Sequence, residues 1–222
     1  MIAYHFISEK YALEAVAKQR LKLSLINDLN DPFELLAADF LDRESRKEAI
    51  RFKEDMASKL GILCFSKNWK SPLLWSHYAD RHKGIALKCY IKDSIALPVT
   101  YRTNRFFFDM KGKRNKKQKV TRSETEGLWL TKFESWRYEE EIRVICSKYE
   151  CEKEGELFFK DCNDEELQIQ GLILGPLCNL SINQIKDALP SGKEIDIIKS
   201  RLAFRSFEIV RQKDFKRKTI RN

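Results

Sequence analysis

Helix-like sequence patterns lie mainly in the first half of this 222-residue chain, and strand-like patterns lie mainly in the second half. A chain that alternates strands and helices builds a parallel sheet, whereas segregated helices and strands favour an α+β architecture. The sequence shows neither a repeat nor a linker rich in Pro, Gly or Ser. We therefore expect one α+β domain over residues 1–222.

Hydrophobic period, capping residues and breakers predict the individual elements. Strands are predicted over residues 2–7, 21–26, 62–66, 84–90, 97–103, 141–147, 156–160, 170–174, 194–198 and 202–210. Helices are predicted after Ser8, from Pro32 to about Phe40, from Glu44 to about Leu60, from Pro72 and after Ser181. Asp31 would cap the second helix, with Glu34 bonding back to the cap. Gly61 would end the third.

Two glutamates stand at the head of the strand predicted over 141–147. Strand alternation puts Glu139, Glu141 and Arg143 on one face and the apolar Ile142 and Val144 on the other. Two carboxylates on one face repel each other unless a cationic or hydroxyl-rich group lies between them. This pattern predicts either a site for such a group or an ordinary surface strand whose glutamates pair with neighbouring lysines.

Three groups of residues resemble the bacterial family catalogued as domain of unknown function 2971, over roughly residues 1–180. The groups are Asn30-Asp31-Pro32-Phe33-Glu34, then Cys64-Phe65-Ser66 with Trp75-Ser76-His77-Tyr78-Ala79 and His82-x-Gly84, then Trp136-x-Tyr138-Glu139-x-Glu141-x-Arg143. Members of that family often occur near phage-defence and toxin-like genes. The resemblance implies a toxin-like role in phage defence, with an antitoxin protein as a possible partner.

The opening of the chain is also similar to DarT-type ADP-ribosyltransferases, in which a split sheet carries the site. The similar residues are Tyr4-His5-Phe6-Ile7-Ser8, a helix, and then Leu21-x-Leu23. The resemblance implies that His5, Ser66 and Tyr78 contact NAD, that Glu141 is catalytic and that Glu139 is its partner. This assignment requires His5 and Glu141 to face one cleft, and it fails if the two residues lie on opposite sides of the sheet.

The chemistry of ADP-ribose transfer explains these residue types. Cleavage of the nicotinamide–ribose bond passes through an oxocarbenium-like state, which a carboxylate stabilises in a water-poor pocket. The second carboxylate would orient or deprotonate the acceptor. His5 would offer a ring nitrogen to a ribose hydroxyl, and Tyr78 would stack on nicotinamide.

Structural alternatives remain open for these residues. His5 has the setting of a buried core histidine, and Trp75 and Tyr78 have the spacing of core residues on a helix. Residues 30–34 are explained as a turn and helix cap. His77 and His82 could form an acid–base pair of a nuclease, although a spacing of five suits one helix face poorly.

Forty-two Lys and Arg residues against 33 Asp and Glu residues give a net charge of +9. This balance favours a polyanionic partner, with single-stranded RNA or DNA as the expected acceptor. The basic loop 111–119, with Lys113, Arg114, Lys116 and Lys117, and the basic tail 213–222 would track phosphates or remain solvated. Phe106, Phe107 and Phe108 suit either base stacking or a buried strand. A non-enzymatic nucleic-acid-binding module is the main alternative to the transferase.

The six cysteines lack the Cys-x-x-Cys spacing of a zinc site, so no metal is expected. Cys64, Cys89 and Cys146 lie in apolar runs typical of a core. Residues 1–20 lack the pattern of a secretion signal, and no apolar run approaches 18 residues. A cytoplasmic protein without membrane contact is the natural expectation.

Overall fold

The computed structural model describes residues 1–40, 42–108 and 121–222, with five α-helices and sixteen β-strands in this part of the chain. The helices are α1 Glu9–Lys18, α2 Arg43–Lys59, α3 Pro72–Tyr78, α4 Arg122–Trp129 and α5 Ile182–Ala188. The first eight strands are β1 Ile2–Ile7, β2 Arg20–Lys22, β3 Ala38–Asp39, β4 Leu60–Ser66, β5 Ile85–Ile91, β6 Leu97–Pro98, β7 Thr100–Arg102 and β8 Phe106–Phe107. The remaining strands are β9 Thr131–Phe133, β10 Glu141–Ser147, β11 Glu152–Glu154, β12 Leu157–Asp161, β13 Leu167–Leu174, β14 Glu194–Leu202, β15 Ile209–Arg211 and β16 Lys218–Arg221.

A nine-stranded mixed sheet forms the centre of the fold, with the order β15-β14-β13-β5-β1-β4-β10-β6 and β16 paired to β14. Its neighbours are antiparallel except β13 and β14, which run parallel and are connected through α5. The expected mixed helix-and-strand domain is present. The sequence did not predict the parallel crossover, because the expected segregation of helices and strands contains no strand–helix–strand unit.

Helices cover both faces of this sheet. Helices α1 and α5 pack on the face that carries Leu63, Phe65, Leu87 and Ile142. Helices α2, α3 and α4 cover the opposite face in two further apolar clusters. The alternation of β4 explains this arrangement, because Leu63 and Phe65 belong to the first cluster whereas Ile62 and Cys64 belong to the second.

The sheet has a seam between β1 and β4. Strand β1 is paired to β5 along six positions, and β4 is paired to β10 along seven. Between β1 and β4, however, the only paired positions are Tyr4 and Ser66. The sheet therefore consists of two well-paired halves that a single residue pair joins at this seam.

The helix predicted from Pro32 to Phe40 is wrong. Residues 32–35 form turns, and Leu35 has φ of 62°, a left-handed conformation that ends any helical path. The Asp31 carboxylate accepts a hydrogen bond from the Phe33 backbone N–H at 2.9 Å, so it stabilises a turn. Glu34 does not bond back to a cap, because its carboxylate is held elsewhere, as described below.

Several predicted boundaries also change. Helix α2 ends at Lys59, and Gly61 lies inside β4, where a Cβ atom would meet the Leu23 side chain. The strand predicted over 202–210 is confined to β15, because residues 203–208 form an exposed connection. Part of the basic tail forms β16, and Ile220 there is buried against the sheet. Within residues 1–40, 42–108 and 121–222, no helix is long and apolar enough to cross a membrane.

Candidate functional site

Three carboxylates and two cations are buried together beside the seam. Glu34, Glu139 and Glu141 supply the negative charges, and Lys132 and Arg143 supply the positive ones. Charged groups with so little exposure must be paired, because an isolated buried charge is very costly. With all five groups ionised, the cluster carries one excess negative charge.

Arg143 organises the cluster through all five of its N–H donors. It bonds both oxygens of Glu34 at 2.6 and 2.8 Å and both oxygens of Glu141 at 2.8 and 3.0 Å. Its fifth donor bonds the backbone carbonyl of Trp129 at 2.7 Å. The planar guanidinium thus holds two carboxylates as parallel forks, a geometry that a lysine cannot reproduce.

Lys132 links Glu139 to this clamp. Its Nζ donates to Glu139 at 2.6 Å and to Glu141 at 3.4 Å, and it lies 4.7 Å from the centre of the Trp136 ring. The Tyr78 hydroxyl donates to the other oxygen of Glu139 at 2.6 Å. Glu139 therefore accepts two short hydrogen bonds, whereas Glu141 accepts three from Arg143 and Lys132 together.

Glu139 and Glu141 have pKa values displaced in opposite directions. Burial raises the pKa of Glu139, and the charge and hydrogen bond of Lys132 offset that effect only in part. Burial also opposes ionisation of Glu141, but Arg143 and then Lys132 outweigh it and lower its pKa to about 2. Two neighbouring carboxyl groups with separated pKa values are typical of a site that divides charge stabilisation from proton transfer.

The expectation that Glu139 shares a strand face with Glu141 and Arg143 is wrong. Glu139 ends a 3-10 helix over Glu134–Glu139, and the strand begins only at Glu141. Glu140 between them has φ of 44°, and this left-handed turn breaks the strand alternation. The two carboxylates still converge, because Lys132 reaches both of them.

A cavity of about 510 Å³ opens at the seam. It is lined by all five residues predicted to form the site, which are His5, Ser66, Tyr78, Glu139 and Glu141. Lys132, Glu34 and Cys64 line the same cavity. Its volume falls in the range of about 300–1,000 Å³ that is usual for small-molecule sites.

The pleat separates His5 from Glu141 within this cavity. Ser66 is aligned with Tyr4 on one side and with Glu141 on the other, so these three side chains emerge on one face of the sheet. His5 follows Tyr4 and points to the other face, where its ring lies 5.6 Å from the ring of Phe65. His5 and Glu141 line one cavity, but they enter it from opposite faces of the sheet. The expectation that both face one cleft is therefore met at the cavity, whereas the expectation that they lie on the same side of the sheet is not.

The His5 side chain bridges the seam. Its Nδ1 lies 2.8 Å from the backbone carbonyl of Cys64, so Nδ1 carries the proton that it donates to this oxygen. Burial lowers the pKa of His5, although the bond to Cys64 opposes that effect. The neutral ring then has an unprotonated Nε2, which is able to accept a hydrogen bond.

Ser66 has less freedom than the prediction requires. Its hydroxyl donates to the Asn68 carbonyl at 2.9 Å and accepts from the Asn68 N–H at 3.0 Å. The donor is thus used in a local turn, and one acceptor position remains. Asn68 also bonds the Glu140 carboxylate at 3.0 Å, which holds this turn against the head of β10.

The other aromatic and histidine candidates separate into core and cavity residues. Trp75 is fully buried and its indole donates to the Trp69 carbonyl at 2.6 Å, so it is a core residue. His77 lines the cavity, whereas His82 lies on the following turn and is not among the lining residues. The structure therefore does not bring His77 and His82 together at this cavity.

The proposed nucleic-acid contacts Lys113, Arg114, Lys116 and Lys117 lie outside the described residues. Of the preceding phenylalanines, Phe108 is buried in the cluster beneath α2 and α4, whereas Phe107 is exposed. Cys89 and Cys146 are buried as expected, but Cys64 is only partly buried and lines the cavity. Among the described residues, no group of three or more His, Cys, Asp and Glu side chains is placed to hold a metal ion.

Glu34, Lys132 and Arg143 are site residues to which the sequence analysis gave no role of this kind. One sequence signal does point to two of them, because Glu34 lies between Phe33 and Leu35 and Arg143 lies between Ile142 and Val144. Charges in such positions are buried only when they are paired.

Comparison of the chain with protein-family models, curated proteins and solved structures gives no significant match.

Proposed function

We propose that this protein is a toxin-like ADP-ribosyltransferase of phage defence, which transfers ADP-ribose from NAD to a macromolecule. Single-stranded RNA or DNA is the favoured acceptor because of the +9 charge. The observation that carries the proposal is the cavity at the seam, where an ionised carboxylate lies beside one with a raised pKa. The three adjacent strands β1, β4 and β10 contribute His5, Ser66 and Glu141 to this cavity.

Glu141 would act mainly through its fixed negative charge. Its oxygens already accept bonds from Arg143 and Lys132, and its pKa of about 2 keeps it ionised at neutral pH. A carboxylate fixed in this way needs no reorganisation when positive charge develops on the ribose during cleavage. The excess negative charge of the whole cluster acts in the same direction.

Glu139 would accept the proton of the attacking group. Each of its oxygens accepts one short bond, from Tyr78 or from Lys132, which leaves further acceptor positions on both oxygens. Because its pKa is raised, Glu139 binds a proton more readily near neutral pH than an ordinary carboxylate does. The Tyr78 ring beside it would stack on nicotinamide, and Nε2 of His5 would accept from a ribose hydroxyl on the other side of the seam.

The experiment that tests the proposal measures nicotinamide release from NAD by wild type, Glu141→Gln and Glu139→Gln. We expect turnover by the wild type and a loss on the order of 100-fold or more in each variant. Glu134→Gln is the matched control, since this neighbouring glutamate is partly exposed and, among the described residues, pairs with Arg137. The folded fraction of each variant must be compared by circular dichroism, because Glu141 also holds the buried cluster together.

Binding provides a second measurement that does not depend on turnover. Millimolar NAD should raise the midpoint of thermal unfolding by mass action, and His5→Ala and Tyr78→Ala, which remove the proposed ring contacts, should reduce that shift. An unchanged midpoint together with the absence of nicotinamide release would refute the transferase. The remaining candidate would then be a nucleic-acid-binding module, which the exposed basic surface described next favours.

A further inference from the structure

Two phenylalanines are almost completely exposed at one edge of the central sheet. Phe204 is 91% and Phe207 is 98% exposed, and both lie in the connection between β14 and β15. This connection with its flanking residues, 201–211, is here named the arginine–phenylalanine hairpin. Exposed rings cost hydration free energy, so two of them within four residues indicate a surface that is covered in a complex.

Cations alternate with these rings. Arg201, Arg205 and Arg211 belong to the hairpin, and Glu208 is its one carboxylate. The guanidinium of Arg201 lies 4.8 Å from the centre of the Phe204 ring, so a cation already covers one face of an exposed aromatic group. Alternating rings and guanidinium groups are the elements of a surface that binds unpaired bases and their phosphates.

The hairpin adjoins the wall of the cavity. The Ile209 backbone N–H donates to the Lys70 carbonyl at 2.8 Å, which joins the hairpin to the segment 67–70. On its other side this segment contacts the site, because the Lys67 N–H bonds the Glu140 carbonyl at 3.1 Å and Asn68 bonds Ser66. Lys67 and Lys70 are both exposed and extend the positive surface of the hairpin toward the cavity.

We propose that the arginine–phenylalanine hairpin binds single-stranded nucleic acid, with bases stacked on Phe204 and Phe207 and phosphates held by Arg201, Arg205 and Lys70. Hydrogen bonding joins the hairpin through residues 67–70 to Ser66 in the cavity wall, so a strand that follows these residues would lead from the hairpin toward the proposed acceptor position. The inference concerns the acceptor of the proposed transferase, but it does not require that activity. A binding module without turnover would use the same surface.

The chemistry of the hairpin favours nucleic acid over an anionic membrane. A membrane wedge needs contiguous apolar surface, whereas Arg205 and Ser206 separate the two rings along the chain.

The test measures binding of the full chain to a fluorescein-labelled oligouridine of about 20 nucleotides, which covers one or two single-strand sites. Phe204→Ser should weaken binding about tenfold, and Phe204→Ser with Phe207→Ser further, because each lost stacking contact contributes about one factor of ten. Arg205→Gln should lower the slope of log affinity against log salt by about 0.7. The matched control is Tyr149→Ser, since Tyr149 is 84% exposed on a different segment.

The outcomes separate the possible readings. Wild-type binding that both serine variants retain, or equal affinity for a duplex of the same length, would overturn the proposal. Ring-dependent binding to phosphatidylserine vesicles without oligouridine binding would also overturn it in favour of a membrane surface. Replacement of both rings by Trp should preserve binding, which excludes a general loss of structure. Nicotinamide release should be unchanged in these variants, so failure of the transferase proposal would be seen separately.

Discussion

Replacing Arg143 by lysine should destabilise the protein far more than the conservation of charge suggests. Five donors of Arg143 meet five buried acceptor positions on Glu34, Glu141 and the Trp129 carbonyl. A lysine ammonium has three donors, so at least two of these acceptor positions lose their partner. Each buried acceptor left without a donor costs about 1–3 kcal/mol.

The expected cost of Arg143→Lys is therefore about 2–6 kcal/mol. A domain of ordinary stability has a free energy of unfolding of about 5–15 kcal/mol, so this substitution removes a large part of it. Urea denaturation followed by tryptophan fluorescence gives the change from the midpoint at constant slope. The four tryptophans, two of them buried, make this signal sensitive to unfolding.

Arg137→Lys is the matched control for this measurement. Arg137 holds Glu134 by the same two-bond fork, with Nε and Nη2 at 2.5 and 2.8 Å, but both side chains are exposed to water. Water replaces the lost bonds there, and the denaturation curve should not move measurably. Equal midpoints for Arg143→Lys and Arg137→Lys would refute the reasoning, because the buried fork would then contribute no more than an exposed one.

Three further predictions concern charge and packing. The pKa of Glu141 is lowered from 4.5 to about 2 despite burial, so the ionised carboxylate stabilises the fold fully above pH 4.5 and loses this contribution as the pH falls toward 2. In Glu141→Gln the free energy of unfolding, followed by circular dichroism, should depend less on pH in that window. Burial raises the pKa of Glu139, so the rate of nicotinamide release by the wild type should increase with pH above pH 4.5 as this carboxyl group loses its proton. The rate of Glu139→Gln should lack this increase, and a constant wild-type rate over this range would exclude Glu139 as the base. Gly84→Ala should prevent stable folding, because a Cβ atom there would overlap the Ile7 carbonyl oxygen, whereas Gly127→Ala in α4 meets only the Phe106 ring at 3.5 Å and should be tolerated in thermal unfolding.

Local sequence patterns were sufficient for the strands that carry the site. Strands β1, β4 and β10 were predicted from their apolar residues within one or two positions of the observed ends. The two helices that have a capping box begin as Thr/Ser-x-x-Glu/Gln motifs, at Thr121 and Ser181, but only the one at Ser181 was predicted. Helix α4 was not predicted, because the basic residues 111–119 dominate the sequence just before its capping box.

The buried cluster could not be assembled from sequence, because its members are distant along the chain. Glu34 and Arg143 are 109 residues apart, and only the fold brings the turn after Asp31 to the head of β10. The false helix at Pro32 has the same origin, since its cap and first turn satisfied every local rule. Pairing with Arg143 fixes Glu34 in a turn instead, and Leu35 takes the left-handed conformation that follows.

Strand β16 shows the same limit from the other direction. Its residues Lys218 and Arg221 read as part of a solvated basic tail, because charge dominates the local sequence. Pairing to β14 over four positions buries Ile220 and leaves the cations exposed. A strand at a sheet edge tolerates such composition, since only one face of it needs apolar residues.

The seam accounts for both the position of the cavity and the arrangement of its lining residues. A continuous ladder between β1 and β4 would close the space that now opens beyond the pair Tyr4–Ser66. The Cys64 carbonyl that such a ladder would satisfy is bonded by the His5 ring instead, so the seam leaves no orphaned acceptor at this point. On the other side of the seam, Arg143 neutralises the carboxylates of Glu34 and Glu141, which could not otherwise be buried. Because the lining residues come from both faces of the sheet, a ligand that reaches His5 and Glu141 together must extend through the seam, which favours an elongated molecule such as a dinucleotide over a compact one.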